Sequence, residues 1–291
     1  MIRPTPDQVA LLHPTERLSF AWCDLVNGVP ALKAAAHSFL RHVGAGWVYP
    51  CCKNLLHIEG LEHVRALRPP AGVLLVANHR SFFDMYVLSM ILFRETDLLG
   101  RIYFPVRAEF FYDHPAGLVV NGLMSGWSMY PPVLRQPARN DFNDYTMARI
   151  VELLAQPGTL VGFHPEGTRN KTDDPYTLLP AYPGVGQLIH AARPTVVPAF
   201  VLGMGNQVVR QIRSNFDGTG RRIIVVFGPP LDLDRFLAQA PRLRTYFELA
   251  RFVRAEITRL GERERALRAE LEPDLPSLGP TPEAAAAGLA G

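Results

Sequence analysis

Short apolar runs alternate with polar segments along most of the chain after Leu55. Continuous apolar runs of four to eight residues are typical of buried strands. They lie near residues 56–59, 73–77, 102–106, 159–163, 195–201 and 222–227. Helical stretches separate several of these runs, and this order predicts an α/β domain with a mostly parallel sheet flanked by helices.

Helical patterns also precede and follow this domain. Two short helices over 15–27 and 31–43 predict an N-terminal helical hairpin, followed by a glycine-rich turn that carries Trp47 and Tyr49. Such a turn suits a membrane interface, and a lid packed on the domain is an equally compatible interpretation. A helix with an apolar face is predicted over 242–272. These patterns divide the chain into a helical segment over residues 1–54 that can contact a membrane surface, the α/β domain with its C-terminal helix over 55–272, and a disordered tail rich in Pro, Ala and Gly over 273–291.

Polar residues follow two of the apolar runs, and the first such stretch begins at Asn78. His79 lies there, and Asp84 follows it by five residues. On one continuous helix this offset corresponds to about 140° of rotation, so the two side chains would diverge. Across a strand-to-helix turn, with Ser81 capping the helix, Asp84 can instead reach back to the imidazole. The pair then resembles a general base with its orienting acid, although Ser81 and Asp84 also fit a simple capping box.

The second polar stretch, at 164–170, reads HPEGTRN and follows the run at 159–163. Together, NHRSFFD and FHPEGTRN resemble the Asn-His-x4-Asp and Phe-Pro-Glu-Gly-Thr-Arg blocks of the glycerolipid acyltransferases, a family typified by lysophosphatidate (1-acylglycerol-3-phosphate) acyltransferase. The order of the two blocks agrees with this family, and so does their spacing of about eighty residues. The resemblance covers roughly residues 50–230.

This resemblance implies an O-acyltransferase that moves a fatty acyl group from acyl-CoA or acyl-carrier protein to the hydroxyl of a lysophospholipid. The main expectation is 1-acylglycerol-3-phosphate as acceptor and phosphatidate as product. His79 would be the general base and Asp84 its orienting acid, without an acyl-enzyme, because the sequence has no G-x-S-x-G nucleophile elbow. The residues expected to bind the acceptor are Arg135, with Arg107 as its rival for the phosphate, and Glu166, Gly167, Thr168 and Arg169. Beyond the acyl donor as co-substrate, neither a cofactor nor a metal is expected.

Two departures from the family pattern leave the acceptor open. Asn170 replaces a common serine, and Ala181-Tyr182-Pro183-Gly184 stands where a lysine-glycine pair is frequent. Another lysolipid, such as a lyso-aminolipid, is therefore an alternative acceptor. A lipid-binding protein without activity, and a thioesterase or lipase, are alternatives from other functional classes.

The composition of the chain limits its expected partners and its expected location in the cell. The net charge is only +3, from 30 Lys and Arg against 27 Asp and Glu, so a nucleic-acid partner is not expected. The three cysteines show neither a disulfide framework nor zinc spacing, which agrees with a reducing cytosol. The N-terminus lacks the apolar core of a signal peptide, and no window reaches the ~18 apolar residues of a membrane-spanning helix. We therefore predict a cytoplasmic protein bound peripherally to the inner face of the cell membrane.

Overall fold

A computed structural model describes residues 1–98 and 100–278. Within these residues the strands are β1 (Leu56–Glu59), β2 (Val73–Ala77), β3 (Arg101–Tyr103), β4 (Val106–Arg107), β5 (Pro132–Val133), β6 (Thr159–Phe163), β7 (Thr195–Leu202) and β8 (Ile223–Phe227). The α-helices are α1 (Pro6–Ala10), α2 (Pro14–Gly28), α3 (Pro30–Phe39), α4 (Ala45–Cys52), α5 (Glu62–Arg65), α6 (Asp84–Glu95), α7 (Ala108–Phe111), α8 (Pro115–Ser125), α9 (Phe142–Leu154), α10 (Pro183–Ala192), α11 (Val208–Asp217), α12 (Asp234–Leu237) and α13 (Leu243–Leu271).

The main sheet has the strand order β1-β8-β7-β2-β6-β3 across the described residues. Neighbouring strands run parallel except for β7 and β8, which are antiparallel. The predicted α/β class, with a mostly parallel sheet flanked by helices and a helical N-terminal region, is therefore confirmed. Five of the predicted strands match to within one residue. The sixth, expected over 102–106, is divided, because β3 pairs with β6 while β4 pairs with β5 in a separate two-stranded sheet.

The central strands lie in the core of the domain. All five residues of β2 and all five of β8 are buried, which explains why both read as continuous apolar runs rather than alternating ones. Helix α13 packs against β7, β8 and α10, and α6 packs against β7 and α4. The predicted C-terminal helix over 242–272 is thus present as one continuous helix. The predicted disordered tail lies outside the described residues from position 279 onward.

The N-terminal region is helical over 14–28 and 30–52, with a break at Val29, and it shares the core of the sheet domain. Phe20, Cys23 and Leu40 belong to the same buried apolar cluster as the strands. The glycine-rich turn predicted around Trp47 is wrong: a π-helical turn (Leu40–Gly44) continues directly into α4. Packing of α4 on α6 outweighs the low helix propensity of its glycine and proline. No helix among the described residues is long and apolar enough to cross a bilayer.

The packing of α10 on α13 gives a direct test of this fold. A Cβ atom added at Gly186 would lie 2.1 Å from the carbonyl oxygen of Tyr246, whereas at Gly184 the nearest atom is 3.9 Å away. We expect Gly186→Ala to lower the free energy of unfolding by about 1–3 kcal/mol, because a backbone atom must move. Gly184→Ala, on the same helix, should be neutral or stabilising by up to about 1 kcal/mol. Urea unfolding followed by circular dichroism measures both, and equal stabilities would contradict the packing.

Candidate active site

The register between β2 and β6 brings the two polar stretches together. Val76 pairs with Phe163, so the residues that follow these parallel strands leave the same edge of the sheet. Asn78 fixes the first stretch to β7: its side-chain Nδ2 donates to the carbonyl oxygen of Val201 at 2.9 Å, and its Oδ1 accepts from the backbone N–H of Val201 at 2.8 Å. Ligands of open parallel sheets bind beyond this edge.

His79 and Asp84 meet across the turn between β2 and α6. Asp84 Oδ2 lies 3.2 Å from His79 Nδ1 and accepts hydrogen bonds from the backbone N–H groups of Arg80 and Ser81, both at 2.8 Å. The expected cap by Ser81 is wrong, because the helix begins at Asp84, whose carboxylate binds the amides of the turn. The side chain of His79 is 21% exposed and that of Asp84 only 1%, so a substrate can reach the imidazole while the carboxyl stays shielded.

Burial shifts both pKa values of this pair. It raises the pKa of Asp84 to about 7, and the two backbone N–H groups act in the opposite direction. Burial, together with the charges of Arg169 and Arg107, lowers the pKa of His79 to about 4. The imidazole is therefore uncharged at neutral pH. When Asp84 is ionised its carboxylate can only accept, so Nδ1 carries the ring proton and Nε2 is left as the basic nitrogen.

Glu166 joins the two polar stretches. Its Oε1 accepts from the backbone N–H of His79 at 2.9 Å, and its Oε2 accepts from the backbone N–H of Leu179 at 2.8 Å. The residue is 3% exposed, and burial raises the pKa of its carboxyl. The predicted contact between Glu166 and the acceptor stays a prediction. In the structure this side chain holds the backbone of His79, a contact that the sequence did not indicate.

The backbone of Gly167 binds two of the arginines that were predicted to contact the acceptor. Its carbonyl oxygen accepts from Arg107 Nη2 at 3.0 Å and also from Arg135 Nη2. Its φ of +60° is a left-handed conformation that glycine adopts at little cost. Arg107 and Arg135 were rivals on sequence alone, yet both reach this loop. The cause is the pairing of β4 with β5, which sets Arg107 opposite Val133, two residues before Arg135.

The remaining predicted residues of the second stretch are more exposed. Arg169 is exposed and donates from Nη1 to Asn206 Oδ1 at 3.3 Å, and Thr168 is half-buried beside it. Asn206 also accepts from the backbone N–H of Phe82 at 2.9 Å, so it links the loop after β7 to the turn after β2. Sequence reasoning missed Asn206, because nothing in its local pattern marks a contact with residues more than 120 positions away.

Sequence reasoning also passed over His164, although it is a polar residue at a strand end. Its ring stacks on that of His79, with centroids 3.9 Å apart and planes inclined by 7°. The ligand atoms of His79, His164 and Asp84 lie within 4.8 Å of one another, close enough to share a metal ion. However, imidazole lone pairs lie in the ring plane, and nearly parallel rings do not direct them to a common point. The geometry therefore does not favour a metal centre, and the absence of a metal stays a prediction.

Comparison with known proteins agrees with these residues. A family model described as "Acyltransferase" matches residues 56–202, a span that contains both polar stretches, Arg107 and Arg135. The chain belongs to the glycerolipid acyltransferase family. A search of curated proteins found no match. Membership of this family supports a general acyltransferase function. Within the matched span, His79, Asp84 and the arginines are the candidate residues for the reaction.

The raised pKa of Asp84 leads to a pH-dependent prediction for Asp84→Asn. Because the pKa rises from the ordinary value of 3.8 to about 7, the stability that protonated Asp84 contributes is complete below about pH 4 and is lost as the pH rises through 7. The amide cannot ionise, so the variant should gain stability relative to wild type between pH 4 and 9, by up to about 4 kcal/mol. Its acyltransferase activity should fall, because an amide stabilises the imidazolium poorly.

Urea unfolding of both proteins at pH 4, 6 and 9 measures this difference. His79 is present in both proteins, so its own titration largely cancels. A difference that stays constant with pH would show that Asp84 does not carry a raised pKa.

Proposed function

We propose that this acyltransferase transfers a fatty acyl group from acyl-CoA or acyl-carrier protein to the free hydroxyl of 1-acylglycerol-3-phosphate, giving phosphatidate. One observation carries the proposal: Arg107 and Arg135 converge on the carbonyl of Gly167, in the loop whose Glu166 holds the backbone of His79. An anion bound by these arginines would therefore lie beside the general base.

The charge of this arginine group favours a phosphate. Among the described residues, neither Arg107, Arg135 nor Arg169 forms a salt bridge with a carboxylate. The pKa of Arg107 is lowered, first by burial and then by the charge of Arg135, so the cations disfavour one another. A phosphate monoester would relieve this repulsion, and guanidinium groups bind phosphate oxygens in a planar two-point geometry.

In the proposed reaction, His79 Nε2 takes the proton of the acceptor hydroxyl while the hydroxyl oxygen forms a bond to the thioester carbonyl carbon. The tetrahedral intermediate then collapses, the C–S bond breaks, and the proton passes from His79 to the leaving thiolate. Asp84 holds Nδ1–H and stabilises the imidazolium, as the acid of a serine-hydrolase triad does. The substrate hydroxyl occupies the place of the serine, so no acyl-enzyme forms.

The arginines make the pKa of His79 depend on whether the acceptor is bound. In the free protein the charges of Arg169 and Arg107 help to lower the pKa of His79. A bound phosphate would offset these charges and raise the pKa of His79 toward its ordinary value. The base would then be stronger when the acceptor is in place than when water alone is present, which favours transfer over hydrolysis of the thioester.

We propose peripheral membrane contact through α2 and α8. Leu18, Trp22 and Leu25 follow one another at four- and three-residue spacing, and each is at least 41% exposed although the opposite side of α2 is buried in the core. Val119 and Leu123 on α8 are exposed as well, and α8 contacts α2. An exposed apolar surface of this kind suits the boundary between headgroups and acyl chains. It would place the enzyme at the inner face of the cell membrane, where a lysolipid acceptor can enter from the bilayer.

Substitution of His79 tests the chemistry of transfer. Removing a general base costs ~10²–10⁴ in rate, so His79→Ala should lower kcat by that factor while the variant remains folded by circular dichroism. A folded His79→Ala protein that keeps more than about a tenth of wild-type turnover would rule out the general-base role.

Substitution of the arginines tests the acceptor. Arg169→Lys and Arg135→Lys keep the charge but lose the planar fork, and each should lower kcat/KM for 1-acylglycerol-3-phosphate by roughly 10- to 150-fold. The KM for the acyl donor should stay nearly unchanged. Arg244→Lys is the matched control, because Arg244 is exposed and pairs with Glu248 on α13.

Two outcomes would assign the arginines differently. A rise in the donor KM would place them at the phosphates of CoA or of the carrier protein. Unchanged parameters for both substrates would leave them as structural residues of the Gly167 loop and would favour an acceptor without a terminal phosphate, such as a lyso-aminolipid.

The membrane surface is tested by point substitutions, since removal of the N-terminal helices would expose core residues such as Phe20. Leu18→Glu combined with Leu25→Glu should reduce sedimentation with anionic liposomes several-fold, because a charged side chain does not enter the acyl boundary. Leu243→Glu, at an equally exposed leucine on α13, is the control. Equal sedimentation of the two variants would show that α2 does not contact the membrane. The exposed apolar residues of α11 would then be the next surface to test.

A further inference from the structure

His164 lies between Phe163, the last residue of β6, and Pro165. The proposed acyl transfer does not use its side chain. Its ring nevertheless lies face to face with the ring of His79, 3.9 Å away between centroids. The geometry of this contact indicates how it acts on the base.

The orientation of His164 is fixed by the sheet. Its Nδ1 lies 3.0 Å from the carbonyl oxygen of Ala77, the last residue of β2. A carbonyl can only accept, so Nδ1 carries the proton and donates it. Because β2 and β6 are neighbouring parallel strands, both partners of this hydrogen bond are held by the sheet. The plane of His164 is therefore set before any substrate arrives, and the ring of His79 rests against it.

His164 is neutral in the pH range where an enzyme of this kind works. Loss of hydration and the neighbouring His79 together lower its pKa to about 3, although Asp84 acts in the opposite direction. The charged groups that act on the stacked pair are Asp84 at the start of α6, Arg107 on β4 and Arg169 in the second polar stretch. Arg107, Arg169 and His164 thus reach His79 from other elements, and the ring of His164 presents it with an uncharged aromatic face.

We propose that His164 is a positioning residue that stabilises the protonated form of His79 through the face of its neutral ring, an inference that rests on the proposed role of His79 as general base. A cation over an aromatic face is attracted by the electrons of the ring. Donation of Nδ1–H to the carbonyl of Ala77 increases the electron density of that ring. His79 is charged only while it holds the proton of the hydroxyl, so the attraction is stronger in the transition state than in the ground state and raises kcat.

Two substitutions separate the ring face from mere space filling. His164→Phe keeps an aromatic face against His79, and His164→Leu fills a similar volume without one. With both substrates saturating, kcat of the leucine variant should lie roughly 2- to 30-fold below that of the phenylalanine variant. The KM values should agree within about twofold. Equal kcat values in two folded variants would overturn the proposal, because a space-filling role predicts no difference between them.

A titration of the wild-type protein and of the His164→Leu variant tests the proposal independently of kinetics. The side-chain ¹³C resonances of His164 and His79, assigned through the backbone, are followed by NMR between pH 3 and 8. His164 should show no titration above pH 5, and the pKa of His79 should be lower in the leucine variant than in wild type. A His164 that titrates near the ordinary pKa of about 6.5 would overturn the proposal, because two imidazolium rings in this stack would repel each other.

A parallel measurement of His79→Ala keeps the two proposals apart. If this variant remains active, the general-base role fails and the role of His164 fails with it. If His79→Ala is inactive while His164→Leu has the kcat of His164→Phe, the general base stands and only the role of His164 is wrong.

Discussion

One buried carboxylate holds the site together. Glu166 binds the backbone N–H of His79 with one oxygen and the backbone N–H of Leu179 with the other. These donors belong to segments 100 positions apart, and the carboxylate is 3% exposed, so water does not compete for either bond. Hydrogen bonds to a charged group in such surroundings are among the stronger ones in proteins, and a buried carboxylate that loses one donor is costly. The placement of His79, and of the loop that carries Gly167, depends on this residue.

The electrostatics of the site follow from that placement. The imidazole of His79 is surrounded by arginines, a shielded carboxyl and a neutral histidine, and its pKa is well below the ordinary value. A weak base would suit the proposed thioester donor, because it would limit attack by water. A phosphate-bearing acceptor would change this balance by bringing negative charge to the arginines, so binding and activation would be two effects of the same contact. In this account acceptor recognition and catalysis are inseparable at the Gly167 loop.

Much of this architecture could be predicted from the sequence. The buried strands were predictable because strands covered on both faces read as continuous apolar runs, and the polar residues directly after β2 and β6 marked the site. The pairing of His79 with Asp84 followed from an offset that only a strand-to-helix turn can bring together. The helical state of 44–52 was not predictable, because glycine and proline indicate a turn locally and only the packing of α4 on α6 reverses that preference.

The contacts that complete the site could not be predicted, because they join distant segments. On sequence alone, Arg107 and Arg135 were alternative candidates for binding the phosphate of the acceptor. The pairing of β4 with β5 brings both arginines to the same carbonyl oxygen. The two hydrogen bonds accepted by Glu166 come from the backbone N–H groups of His79 and Leu179. Every residue except proline has such a group, so the residue types do not reveal the contact. The stack of His164 on His79 depends on ring orientation, which the β2–β6 register and the Ala77 carbonyl determine.

Product analysis with a panel of acceptors tests the central claim most directly. Purified enzyme is given a ¹³C-labelled acyl-CoA or acyl-carrier protein together with 1-acylglycerol-3-phosphate, monoacylglycerol or a lyso-aminolipid, and thiol release and product mass are measured in each case. The account predicts labelled phosphatidate from 1-acylglycerol-3-phosphate, one thiol released per product, and little thiol release without acceptor. Labelled product from only the phosphate-free acceptors, or thiol release that does not depend on any acceptor, would contradict it.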